Sequence, residues 1–130
     1  MAETVLAFDT SAAHCAAALL LPDGRVLTRL EPMEKGQAER LMPLLEELLR
    51  EAGLGWSDLT RLAVGTGPGN FTGVRISVAT ARGLALGLGI PAIGITRLEA
   101  LAYGQPRPAP FYLRGADAAP PSDPPPVILP

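Results

Sequence analysis

The sequence predicts an α/β domain built on a mixed sheet, with elements in the order β-β-β-α-β-α-β-α. Three observations carry this. Short apolar runs closed by turn residues fill the first thirty positions. A helical period replaces them over 38–52 and again over 72–88, with short strand-like runs after each. Finally, nine of the 14 prolines crowd into 106–130, so the folded part is expected to span 1–103, with an extended proline-rich tail over 104–130.

The first element is Thr4 to Phe8, an apolar run that ends at Asp9-Thr10-Ser11. Cys15 to Leu21 is the second, and Pro22-Asp23-Gly24-Arg25 turns the chain into a third at Val26 to Leu30. Connections this tight predict antiparallel pairing. Over Ala38 to Ala52, Leu41, Leu44, Leu45, Leu48 and Ala52 form one apolar helical stripe, and Gly53 supplies the stop. Pro43 sits awkwardly in that helix, so either the regular helix begins near Arg40 or it is kinked there. Met42 and Leu49 lie off the stripe and widen the apolar arc. Leu62 to Val64 is a strand, Gly65-Thr66-Gly67-Pro68-Gly69-Asn70 a glycine-rich turn, and Thr72 to Leu88 a second helix. Gly73, Ser77, Ala81 and Ala85 recur every fourth position there, a ridge that lets backbones approach. Ile90 to Ile95 is a strand, and Thr96-Arg97-Leu98-Glu99 fits a capping box that opens a short helix through Leu101.

Composition narrows the function classes. A net charge of −2 argues against a chain that holds nucleic acid through its own basic field. Cys15 is the sole cysteine, which excludes an internal disulfide and a thiolate metal cluster. No basic segment followed by a long apolar run opens the chain, and its longest strongly apolar stretch is far too short to span a bilayer, so a cytoplasmic protein without a membrane role is expected.

Chemistry-bearing features are few. The glycine-rich segment Gly65 to Gly73 opens a helix and so could cradle an anion, but it lacks the lysine and hydroxyl of a Walker A loop. A tight strand-to-helix crossing explains it equally well. Asp9-Thr10-Ser11 is an acid-and-hydroxyl turn after a strand, or an ordinary turn. His14, the only histidine, has no second ligand at metal spacing and reads as a surface or half-buried residue. No nucleophile, base and orienting acid can be assembled, so neither a catalytic residue nor a metal site is assigned. The two helices offer a docking face for a partner helix pair, an assignment that spacing does not separate from plain sheet packing.

Several segments together resemble the TsaB (YeaZ) family. They are Val5-Leu6-Ala7-Phe8-Asp9-Thr10-Ser11, Ala38 to Leu45 with its odd proline, the long hallmark Gly65 to Ile76, Gly83-Leu84-Ala85, Ile90 to Gly94 and Leu98 to Leu101. The resemblance covers about the first hundred residues. It implies a subdomain of the actin, sugar-kinase and Hsp70-like (ribonuclease H-like) fold, in a subunit that pairs with the catalytic chain TsaD, joined by the ATPase TsaE. That complex forms N6-threonylcarbamoyladenosine at position 37 of tRNA, which this chain would meet only through the complex. The implied role is non-catalytic assembly, with a homodimer when alone; the older glycoprotease (M22-like) label finds no support in these residues. Carried over by position, the partner interface falls on Leu41, Met42, Leu45, Leu49, Gly73, Ser77 and Ala81. No intrinsic cofactor is implied. ATP or ADP at the partner junction would meet Asp9, Thr10, Ser11, Gly67, Gly69 and Asn70. The runner-up is a small ATP-binding or ATP-hydrolysing protein of sugar-kinase-like fold. Family members continue past Leu-Glu-Ala-Leu-Ala into a second subdomain, whereas here Tyr103 runs on to Gln105-Pro106 and then to Phe111-Tyr112-Leu113-Arg114, which look like the end of a full-length member. An internal deletion or a short variant is expected.

Overall fold

The computed structural model of the chain describes residues 3–69, 71–96 and the backbone of 127–129. Three strands open it: β1 (Val5–Asp9), β2 (His14–Leu20) and β3 (Val26–Pro32). Helix α1 (Gln37–Glu51), a 3₁₀ turn (Trp56–Asp58), β4 (Arg61–Gly65), α2 (Phe71–Leu88) and β5 (Ala92–Ile95) follow, and β6 (Val127–Leu129) is the last described element. The sheet order is β3-β2-β1-β4-β5-β6. β1, β2 and β3 pair antiparallel, β4 and β5 join parallel to β1, and β6 returns antiparallel to β5. The sheet is therefore mixed, as the tight early turns and later helical crossovers require.

Most elements lie where the sequence places them, and the differences have physical causes. Helix α1 runs from Gln37 through Pro43 to Glu51, so of the two alternatives at Pro43 the start near Arg40 is not the one taken. Pro43 cannot donate to the carbonyl four residues back, but it faces solvent, where water can satisfy that carbonyl. Gly36 opens the helix at φ 95° with no side-chain cap. Val127–Leu129, placed by sequence reasoning in the tail, is instead a sheet strand in register with Ala92, Ile93 and Gly94. Three residues are too few to show a period. The expected helix from Thr96 to Leu101 and the remainder of the tail, Phe111 to Arg114 included, lie outside the described residues. Among the described residues no helix is long and apolar enough to cross a membrane.

Alternation along the strands splits the core in two. Leu6, Phe8, Cys15, Ala17, Leu19, Leu62 and Val64 face both helices, where Leu41, Leu44, Leu45, Leu48 and Leu49 of α1 cover them with Ala81 and Ala85 of α2. Val5, Ala7, Ala16, Ala18, Ala63 and Ile95 form a second buried cluster. The Cys15 thiol sits in the first layer, where burial pushes its pKa up to about 11 and leaves it a packing group rather than a nucleophile.

Each α1 leucine that is wholly buried contributes roughly 1.5–3 kcal/mol by leaving water. Leu45 is 0% exposed, so Leu45→Ala is expected to lower stability by about 2–5 kcal/mol in denaturant unfolding. A loss below the lower bound would show that the helix packs more loosely than described.

Candidate functional site

β1 carries Asp9 into the interior, and the residues after it close a turn whose polar atoms are largely committed. The Oδ1 atom of Asp9 accepts the Ser11 N–H at 3.1 Å, and its Oδ2 lies 3.0 Å from Nε2 of His14. An ionised carboxylate only accepts, so the imidazole donates from Nε2. Burial by itself would raise the Asp9 pKa, but the bonds from His14 and Ser11 outweigh it and hold the carboxyl below its ordinary value. His14 is half-buried, in keeping with one of the two sequence readings. Its specific partner was missed, although five residues of separation across the β1–β2 turn bring the two side chains together.

Thr10 ties this turn to α2. Its N–H donates to Ser77 Oγ at 2.8 Å and its Oγ1 donates to the Gly73 carbonyl at 2.6 Å. Because Thr10 has one hydroxyl proton, the Ser77 hydroxyl must donate in the 2.5 Å contact between the two oxygens. The glycine-rich segment fits around the same turn. A Cβ on Gly65 would overlap the Asp9 carboxyl, one on Gly69 the Ser11 carbonyl, and one on Gly73 the Thr10 carbonyl. These glycines thus bring β4 and the start of α2 into backbone contact with the turn, which is the strand-to-helix crossing explanation of the motif.

This geometry bears on the residues named for a nucleotide. Asp9, Thr10, Ser11 and Gly67 are buried, Gly69 is exposed, and Asn70 lies outside the described residues. Asp9 and Thr10 spend their side chains on the chain itself, and Ser11 Oγ is buried without a hydrogen-bond partner among the described residues. Beside the turn, a cleft of about 270 Å³ opens between the first turns of α1 and α2, lined by Thr10, Lys35, Gln37, Glu39, Thr72 and Ile76 among others. Of the five described candidates, Thr10 is the one that lines it. Among the described residues no group of three or more His, Cys, Asp or Glu side chains could hold a metal.

Of the residues carried over for the partner interface, Leu41, Leu45, Leu49, Gly73, Ser77 and Ala81 are buried within the chain itself. The apolar stripe and the small-residue ridge are inward faces, because covering a sheet uses the most regular apolar face a helix has. Of the seven named residues only Met42, 36% exposed, points outward. The outward side of α2 is nonetheless apolar in part: Phe71 is 73% and Leu86 83% exposed, with Ala79 and Gly83 exposed beside them. The Arg75 guanidinium lies 5.3 Å from the centroid of the Phe71 ring. Large side chains this exposed were the available signal, once the ridge had been assigned to the sheet.

The lowered pKa of Asp9 sets a pH dependence. A group depressed in the folded state stabilises above its ordinary range, and that stability is lost as acid takes the pH down through the folded value. Unfolding free energies of the wild type and Asp9→Asn are expected to differ at neutral pH and to converge in acid. Parallel curves across the acid range would show that the ionised carboxylate contributes nothing.

Comparison with known proteins places this architecture. The family model described as "TsaD: tRNA N6-adenosine threonylcarbamoyltransferase" matches residues 31–113. The tRNA threonylcarbamoyladenosine biosynthesis protein TsaB of Escherichia coli is 40% identical over 100 residues, covering 77% of this chain and 43% of that protein. TsaB of Bacillus subtilis is 38% identical over 99 residues, covering 76% and 43%. The structure of YeaZ from Pseudomonas aeruginosa superposes with a TM-score of 0.74 at 43% identity, over 77% of this chain and 46% of that one. The chain thus spans less than half the length of these relatives, and the shared portion carries the actin-like α/β architecture expected from the hallmark segment. With a long motif, an architecture and sequence identity in agreement, the chain belongs to the TsaB (YeaZ) family.

Proposed function

We propose that this chain is a non-catalytic assembly subunit in tRNA threonylcarbamoyladenosine synthesis, docking on a TsaD-type catalytic chain through the outer faces of α1 and α2. The observation that carries this is the exposed apolar side of α2, where Phe71 and Leu86 are largely open to solvent. The relatives' names supply the pathway. The Asp9 turn favours assembly over catalysis, since the acid and hydroxyl that a nucleotide-handling relative would present are bonded internally here. On this reading tRNA and the ATPase TsaE meet the chain only within the complex, in the cytoplasm, and any adenine nucleotide belongs to the junction with the partner.

Leu86→Arg tests the surface without touching the core. Titration calorimetry with a TsaD chain from the same organism is expected to show affinity falling by about tenfold or more, the scale of losing a buried apolar anchor. Thermal unfolding of the variant alone should match the wild type. Unchanged affinity in the folded variant would remove the outer face of α2 from the interface.

A further inference from the structure

Away from the cleft at the first turns of α1 and α2, a second hollow of about 220 Å³ opens at the other end of α1. Glu46, Leu49 and Arg50 of α1 line one side of it, and Leu54, Gly55 and Trp56 of the following loop line the other. Backbone bonds hold that loop in shape. Gly53, at φ 73°, donates to the Arg50 carbonyl at 3.0 Å, and the Leu54 N–H donates to the Leu49 carbonyl at 2.9 Å. The Asp58 carboxylate accepts the Gly55 N–H at 2.8 Å, and the Asp58 N–H donates to the Gly55 carbonyl at 3.1 Å. The hollow is thus formed before anything enters it, and a ligand need not pay to order it.

Its lining has two chemically distinct parts. The floor is apolar: Leu49 is buried, and Leu54 and the Trp56 ring are half-buried against the main core. The rim carries one charge of each sign. Glu46 and Arg50 are both exposed and lie about 6 Å apart along the helix axis. That spacing allows them to pair with each other. Yet neither side chain forms an ion pair or a hydrogen bond among the described residues. Glu47, their neighbour, is already held by Arg40. A ligand with a single charge would gain at one of the two rim residues and lose at the other. A dipolar ion, cationic toward Glu46 and anionic toward Arg50, satisfies both. It must also be small, since the volume falls below the roughly 300 Å³ at which pockets for drug-sized ligands begin.

We infer that the hollow between Glu46, Arg50 and Trp56 binds a free apolar α-amino acid, its ammonium on Glu46, its carboxylate on Arg50 and its side chain on the apolar floor. Leu86, which tests the docking face, lies outside this hollow, so the two proposals fail separately. Trp56 is the sole tryptophan of the chain, and its emission therefore reports on the site directly. Titrating the full chain with L-leucine to about 50 mM should change that emission saturably. N-acetyl-L-leucine lacks the ammonium and leucinamide lacks the carboxylate, so each should bind the wild type about three- to fivefold more weakly, the scale of one exposed charge contact. Glu46→Gln and Arg50→Gln alter exposed side chains and should unfold at the wild-type temperature. Glu46→Gln should erase the discrimination against the N-acetyl compound, and Arg50→Gln that against the amide, a crossed pattern that a merely structural role would not produce. No saturable change in the wild type, or equal binding of all three compounds, would overturn the inference. So would binding of leucinamide in preference to L-leucine, which would mark a site for a simple cation such as a partner's lysine.

Discussion

The bond set around Thr10 is the constraint on which the rest of this structure depends. One residue after the central strand β1, Thr10 gives its N–H to Ser77 and its hydroxyl proton to the Gly73 carbonyl. These bonds join the first strand to a helix more than sixty residues later. All the participants are buried, so each must be satisfied within the chain, and an unpaired one would cost on the order of 1–3 kcal/mol. The contact exists only because Gly65, Gly69 and Gly73 have no side chains to keep the turn at a distance. The glycine-rich segment and the acid-hydroxyl turn are thus two halves of one joint.

That joint orients the proposed docking face. Once Gly73, Ser77 and Ala81 are held inward, helical geometry sends Arg75, Ala79, Arg82 and Leu86 outward. α1 is fixed in the same way by its five buried leucines, which leave Glu39, Met42, Pro43 and Glu46 in solvent beside α2. Two parallel helices on a rigid sheet then present a surface with little conformational entropy to lose on binding, which suits an assembly subunit. The same bonds that close the Asp9 turn hold its side chains away from solution chemistry.

Much of the fold was legible in the sequence because period and punctuation agree. The switch from short apolar runs to a helical stripe near 38, the turn at Pro22 to Arg25, and Gly53 after α1 each have a local physical cause. Pro43 left two readings of α1 open, because the cost of a proline depends on which side of the helix it faces, and that is a tertiary fact. The family was legible from the long hallmark segment. The proposed docking residues were not: a position shared with a family identifies the helix, but burial decides which of its faces is free. For α1 and α2 the regular apolar stripes went to the sheet, and the outward positions of α2 (Phe71, Arg75, Ala79, Arg82 and Leu86) recur at helical spacing but mix apolar with charged residues, so no uniform stripe marks them. The Asp9–His14 pair was hidden for another reason, since it depends on how a tight turn folds back rather than on any spacing along one element.

The central claim is that the outer faces of α1 and α2 make this chain an assembly partner. The most direct measurement is light scattering on the chain mixed with a TsaD chain from the same organism, at concentrations where each has been characterised alone. The account predicts a species with the mass of a one-to-one complex. Two unmixed species, each with the mass it has alone, would contradict it.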